Sequence, residues 1–296
     1  MQFVIYLLLY PLLWLISMLP FPLLYAFSDI VYVIIYHIIG YRKKVVRDNL
    51  ALALPHLSEE ERLVIEKKFF HHLCDIFLEM IKTMTISEKE IDKRYIFTNL
   101  ELYKELEDKK KSVALMCGHY ASYEWAVSMN RHISFEGYGI YKKLGNPHFD
   151  KLVKKIRNRF KATLITTRET IPTIKKNAIS GHLGAYGFAS DQSPMVSSAY
   201  HWNSFMGIEV PVHTGAEMLA KRFDMNVVFL RTKKVKRGYY EGTFDLLSLD
   251  AKAVPNYEIT DEFLKLIEKQ IYEAPEFYLW THKRWKHRRK KEEAIL

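Results

Sequence analysis

A histidine and a carboxylate stand five residues apart in Gly118-His119-Tyr120-Ala121-Ser122-Tyr123-Glu124, directly after the apolar run Leu115-Met116-Cys117. An imidazole that takes a proton, with a carboxylate to orient it, is what general-base catalysis needs, and acyl transfer to a hydroxyl is one reaction that uses it. On one helix, five residues turn about 140° from the starting face, at about 100° each. The spacing therefore places His119 on the turn after a strand, with Glu124 in the first turn or two of the helix that follows. His119 would then lie near a helix N-terminus, where free N–H groups favour developing negative charge. Taken alone the pair is weak evidence, because many chains carry this spacing in structural or exposed positions.

The rest of the composition narrows the chemistry. The 296 residues carry 44 Lys+Arg against 34 Asp+Glu, a net charge of +10, which suits an anionic partner: nucleic acid, an acidic membrane surface or an acidic carrier protein. No recognition helix, zinc finger or RNA-binding motif accompanies the charge, so nucleic acid is not expected. Cys74 and Cys117 form no disulfide or metal spacing, which favours a reducing compartment. Cys117 shares a strand face with His119 but reads as a small buried apolar residue rather than a nucleophile. His71-His72, His182, His201 and His213 lack zinc spacing, and no Gly-x-Ser-x-Gly elbow occurs, so neither a metal, a cofactor nor a serine nucleophile is expected.

Three stretches position the pair. Between Met1 and Ile39 the only formal charge is Asp29, and Pro20-Phe21-Pro22 divides the stretch in two. No positive leader and no cleavage site argue for a signal peptide. Either Phe3–Leu19 spans the bilayer and Leu23–Ile39 lies in the interface, or the two form a shallow hairpin, with Tyr6, Tyr10 and Trp14 as interfacial anchors. Arg42-Lys43-Lys44 and Arg47 then put the following side in the cytoplasm. Residues 41–92 read as helical, with Ser58 and Glu61 forming a capping box. From 93 to 296, short apolar runs at Val113–Cys117, Ala162–Thr166, Gly184–Ala189 and Val227–Leu230 alternate with helical stretches at Trp125–Arg131, His148–Arg159, Ile171–Ile179 and Ala216–Arg222, before a last helix at Asp261–Tyr272. That rhythm is an α/β domain with a mixed, mainly parallel sheet flanked by helices, behind an N-terminal membrane anchor at 1–40.

Further segments follow in order: Tyr141-Lys142-Lys143-Leu144-Gly145-Asn146-Pro147, Arg168-Glu169-Thr170, Ser190-Asp191-Gln192-Ser193-Pro194, and Trp280-Thr281-His282-Lys283-Arg284-Trp285. With the Tyr41-Arg42-Lys43-Lys44…Asn49-Leu50 segment and the Gly-His-x4-Glu box, they resemble, over nearly the whole chain, the lipid A biosynthesis lauroyl and myristoyl acyltransferases. The box interior departs from the Phe-Gly-Asn-Trp of enterobacterial members, which bears on acyl-chain length and acceptor more than on the reaction.

The resemblance implies a membrane-bound O-acyltransferase at the inner membrane, its catalytic domain facing the cytoplasm. It takes a fatty acyl chain from an acyl carrier protein thioester to a hydroxyl of a lipid A precursor. His119 would be the base and Glu124 its orienting carboxylate. Arg168 would bind acceptor phosphate or phosphopantetheine, or else only cap a helix. The Asp191-Gln192 pair would support the site or simply form a turn, and Tyr141 and Asn146 would shape the acceptor side. The alternatives are the same chemistry on a lysophospholipid, aminolipid or other glycolipid, and a non-catalytic, membrane-tethered lipid-binding protein. Seven Lys or Arg between His282 and Lys291, with Trp280 just before them and Trp285 among them, read either as a lipid- or carrier-facing patch or as a solvated helix end.

Overall fold

The computed structural model describes residues 2–289. Seven strands form one sheet: β1 (Tyr95–Phe97), β2 (Val113–Cys117), β3 (Glu136–Tyr141), β4 (Ala162–Thr166), β5 (Gly184–Ala189), β8 (Asn226–Lys236) and β9 (Tyr239–Ser248); β6 (Trp202–Phe205) and β7 (Ile208–Pro211) make a separate hairpin. The order across the sheet is β1-β9-β8-β2-β5-β3-β4, parallel everywhere except between β8 and β9. The expected mixed, mainly parallel α/β sheet is therefore present. All four expected strands occur, and the central one shows why the reading worked: Val113, Ala114 and Met116 are fully buried, as a continuous apolar run in a covered parallel strand should be.

Other strands were hidden. β3 reads Glu-Gly-Tyr-Gly-Ile-Tyr, and its two glycines break an apolar pattern. In β9 the buried Tyr240, Gly242 and Phe244 alternate with half-buried neighbours, a period-2 signal spread over a polar stretch.

The helices α7 (Pro147–Asn158), α8 (Thr170–Ile179), α9 (Gly215–Phe223) and α10 (Glu258–Glu273) follow the expected spans. Three shorter elements, α5 (Glu88–Arg94), α6 (Leu100–Asp108) and the 3-10 helix Trp125–Arg131, fill the remaining connections.

The N-terminal part consists of α1 (Gln2–Met18), α2 (Phe21–Tyr32), α3 (Lys43–Ala53) and α4 (Glu59–Lys82), with α2 running on as a π-helix over Val33–Ile39 until Gly40 turns left-handed. The capping box opens α4: the Ser58 side chain accepts from the Glu61 N–H, and the Glu61 carboxylate from the Ser58 N–H at 2.7 Å. Of the two apolar segments, Phe21–Ile39 is the one long and apolar enough to cross a membrane; Gln2–Met18 is shorter. That reverses the expected ranking of the two.

One face of α2 belongs to the protein. Leu24 and Ser28 are buried, the Ser28 hydroxyl donates to Asp75 (2.8 Å), and Tyr25 donates to Glu79 (2.8 Å). Arg237, between β8 and β9, bonds Asp29 at 2.6 Å and Asp75 at 2.7 Å through one nitrogen. The lone charge of the apolar stretch thus faces a guanidinium. The opposite faces of α1 and α2 expose Val4, Leu8, Leu12, Leu15, Ile30 and Ile38.

Candidate active site

Strands β2 and β5 are parallel neighbours with Cys117 opposite Ala189. His119 and Asp191 each lie two residues beyond that pair, at the C-terminal edge of the sheet, where parallel α/β folds place their ligands. There the His119 Nδ1 is 2.7 Å from Asp191 Oδ1, and the His119 backbone N–H donates to Asp191 Oδ2 at 3.1 Å. The Ser190 N–H, donating to the Cys117 carbonyl at 3.2 Å, continues the ladder up to the pair. Between them Gly118 admits α10: a Cβ there would run into Ile267 Cδ1.

The carboxylate in contact with the His119 ring is thus Asp191, not Glu124. Glu124 instead accepts a fork from Arg157 on α7, with Nε to Oε2 at 3.0 Å and Nη2 to Oε1 at 2.6 Å. Spacing along one chain segment cannot anticipate either contact, because both partners arrive from distant elements. The expected turn after the strand passes through Ala121, whose φ of 48° is left-handed, and the helix that follows is a 3-10 helix, Trp125–Arg131, with Glu124 at its N-cap position rather than inside its first turn.

The pair is electrically tuned. Burial opposes the imidazolium, but the charge and hydrogen bond of Asp191 outweigh it, with Glu124 adding and Arg157 opposing, so the His119 pKa is raised. Asp191, though buried, is held below the usual carboxylate range because His119 bonds it through both ring and backbone nitrogens. An ionised carboxylate only accepts, so in the neutral imidazole Nδ1 carries the proton and Nε2 keeps the lone pair. The Tyr123 ring packs edge-on against the imidazole at 5.2 Å. Burial pushes the Cys117 thiol up to about 12, which keeps it protonated and poorly nucleophilic.

The other expected residues lie on the same edge. Tyr141 ends β3 and donates to Asp150 on α7 at 3.1 Å. Asn146 caps α7, accepting from the His148 N–H at 2.9 Å, and its amide donates to the Gln2 carbonyl, joining α1 to the site's helix. Tyr6, expected as a lipid anchor, packs on the rings of His148 and Phe149. Arg168 is exposed on the turn after β4, and Gln192 follows Asp191, partly buried.

The aromatic tail is corrected most. Trp280, Arg284 and Trp285 are fully buried rather than interfacial. The two indoles stack at 5.9 Å, and their N–H groups donate to the Pro275 and Phe205 carbonyls. Lys283, Lys286, Arg288 and Arg289 remain exposed, while Lys290 and Lys291 lie outside the described residues. Tyr123, Tyr278 and Arg284 are given no role by sequence reasoning, and neither is Arg157, whose signal is its place on the helix after the Tyr141–Pro147 segment; Arg284 is signalled by the Trp-x-His-x-Arg-Trp pattern. Among the described residues, no three His, Cys, Asp or Glu are grouped to hold a metal ion.

Comparison with known proteins agrees with this arrangement. A family model described as bacterial lipid A biosynthesis acyltransferase matches residues 1–287. The chain is 25% identical to a lipid A biosynthesis lauroyltransferase of Escherichia coli (strain K12) over 93% of its own length and 89% of the relative's. It is 24% identical to a lipid A biosynthesis palmitoleoyltransferase of the same strain over 83% and 79% of the two chains. A lipid A biosynthesis acyltransferase of Haemophilus influenzae is 23% identical over 82% and 76%. With a family match along nearly its whole length, the chain belongs to the bacterial lipid A biosynthesis acyltransferases and is an acyltransferase.

Proposed function

We propose that this enzyme transfers a fatty acyl chain from an acyl carrier protein thioester to a hydroxyl of a lipid A precursor at the cytoplasmic face of the inner membrane. The observation that carries the reading is the His119–Asp191 pair, in which a buried carboxylate holds Nδ1 of a partly exposed imidazole and leaves Nε2 to take a proton.

Nε2 removes the proton from the acceptor hydroxyl, whose oxygen attacks the thioester carbonyl. The C–S bond then breaks, the new ester leaves, and the departing thiolate takes the proton back from the imidazolium. Asp191 fixes the tautomer and stabilises the transient imidazolium. Arg157, held by Glu124 and close enough for its charge to act on His119, supplies positive charge for the oxyanion of the tetrahedral intermediate. Arg168, exposed on the same edge, suits an acceptor phosphate or the carrier's phosphopantetheine.

The exposed apolar faces of α1 and α2 support membrane attachment through residues 1–40, with 41–92 and the α/β domain behind them. The Asp29–Arg237–Asp75 contacts favour the shallow-hairpin arrangement, since a spanning α2 would have to abandon them.

Purified full-length protein is given acyl carrier protein thioester with a lipid A precursor or a lysophospholipid, and products are read by mass spectrometry. Acylated lipid A precursor is expected. Transfer to lysophospholipid alone would overturn the acceptor, and full turnover by His119→Ala would overturn the base.

A further inference from the structure

The run from Phe277 to Arg284 passes behind the catalytic pair, and α3 holds it there. Three successive carbonyls of the run are taken by side chains at the start of the chain. Asn49 donates its amide protons to the Trp280 and His282 carbonyls, both at 2.8 Å, and Arg42 donates to the Thr281 carbonyl at 3.0 Å. Asn49 is buried, so these are not exchangeable with water. Its side chain is the right tool: two amide donors match two carbonyls two residues apart, whereas a carboxylate would set oxygen against oxygen and an alkyl group would leave both carbonyls bare.

On its other side the same run meets the site. The Ala121 N–H donates to the Phe277 carbonyl at 2.9 Å, and the Leu279 N–H to the His119 carbonyl at 3.1 Å. Tyr120 and Tyr278 form an antiparallel bridge across that contact. The Ser193 N–H, two residues past Asp191, donates to His282 Nε2 at 3.2 Å. Arg284, fully buried, donates one nitrogen to the Pro211 carbonyl, and its charge bears on Asp191. The loops that carry both members of the pair therefore lean on one strap, and the strap hangs on α3, the helix that directly follows the apolar N-terminal pair.

We infer that Asn49, assisted by Arg42, is a positioning residue for acyl transfer: acting through the 277–284 strap, it keeps His119 and Asp191 in register and links the catalytic pair to the N-terminal apolar helices. The inference rests on His119 as the base. It explains why an asparagine far from the site in sequence is buried against backbone that the site needs.

The test uses the full chain in detergent micelles, with acyl carrier protein thioester and the acceptor that supports turnover. Asn49→Ala and Asn49→Asp are expected to lower kcat by about 10- to 100-fold while KM stays within about threefold, because misplacement of the base costs turnover rather than ground-state binding. The acidic limb of kcat/KM should move to lower pH as Asp191 loosens from the imidazole. Asn49→Gln, which keeps the amide, should recover part of the loss. A purely structural asparagine would lower the unfolding temperature yet leave kcat and the limb unchanged below it, and that result overturns the inference. Should the Asn49 variants not fold, Arg42→Gln decides. It removes one strap bond, and a loss of about two- to fivefold with a limb shift supports the latch, while wild-type behaviour sinks it. His119→Ala separates the two claims. If it is inactive while Asn49→Ala is normal, only the latch fails; if it is active, the base assignment fails first.

Discussion

His119 lies 2.7 Å from Asp191, and His201 lies 2.8 Å from Asp261, yet the two pairs are built differently. Both imidazole side chains are 21% exposed, so access does not separate them; the carboxylates do, at 1% for Asp191 and 29% for Asp261. Asp191 is pinned by two nitrogens of His119 and cannot turn to water. Asp261 sits on the outer part of α10, and His201 stacks flat on Tyr257 at 4.4 Å, an arrangement that packs a surface corner. An ion pair reaching water is screened and loosely held, whereas a buried one transmits nearly its whole field to its partner. The two pairs share a contact distance and differ in how far the carboxylate is isolated from water.

Removing the two imidazoles is the strongest way to break this comparison. His119→Ala should lower kcat/KM by about 10³-fold, while His201→Ala stays within about twofold, as steady-state transfer assays would show. Comparable losses in both would erase the distinction.

The carboxylates come next. Asp191→Asn should cost about 10²- to 10³-fold in kcat. It should also move the pH profile in a defined direction. Turnover needs neutral His119, so kcat/KM rises with pH through the His119 pKa, which Asp191 raises; without that charge the rise occurs at lower pH. Asp261→Asn should leave the profile in place.

A third pair sharpens the comparison. Glu124 and Arg157 are 12% and 23% exposed, intermediate between the other two. Arg157→Met should lower kcat by about tenfold or more through the lost charge. It should also lower the unfolding free energy by about 1–2 kcal/mol, since a mostly buried carboxylate loses its fork. Chemical denaturation alongside kinetics would test both parts.

The smallest effect concerns the turn between them. Ala121 is held at a φ of 48°, a conformation that penalises a Cβ. Ala121→Gly should therefore raise stability by about 0.5–1 kcal/mol at most, with activity unchanged, in equilibrium unfolding.

Much of the local architecture was legible because it is encoded locally. The Ser58–Glu61 capping box, the buried runs of β2 and β5, and the helices α7 to α10 carry their signals within a few residues. Strands β3 and β9 were missed because glycines and half-exposed alternation dilute the pattern. The aromatic tail misled for a related reason: Trp and Arg suit an interface and a core equally well by composition, and only packing separates them.

By itself, then, the sequence determined that a histidine follows a buried strand in an α/β enzyme with an apolar N-terminal pair. Family resemblance supplied the type of reaction. Tertiary structure alone decided which carboxylate serves that histidine. Asp191 is 72 residues away in the chain and reaches His119 only because β5 pairs with β2 in one register. Register between distant parallel strands is set by the packing of the whole sheet, and no local spacing records it.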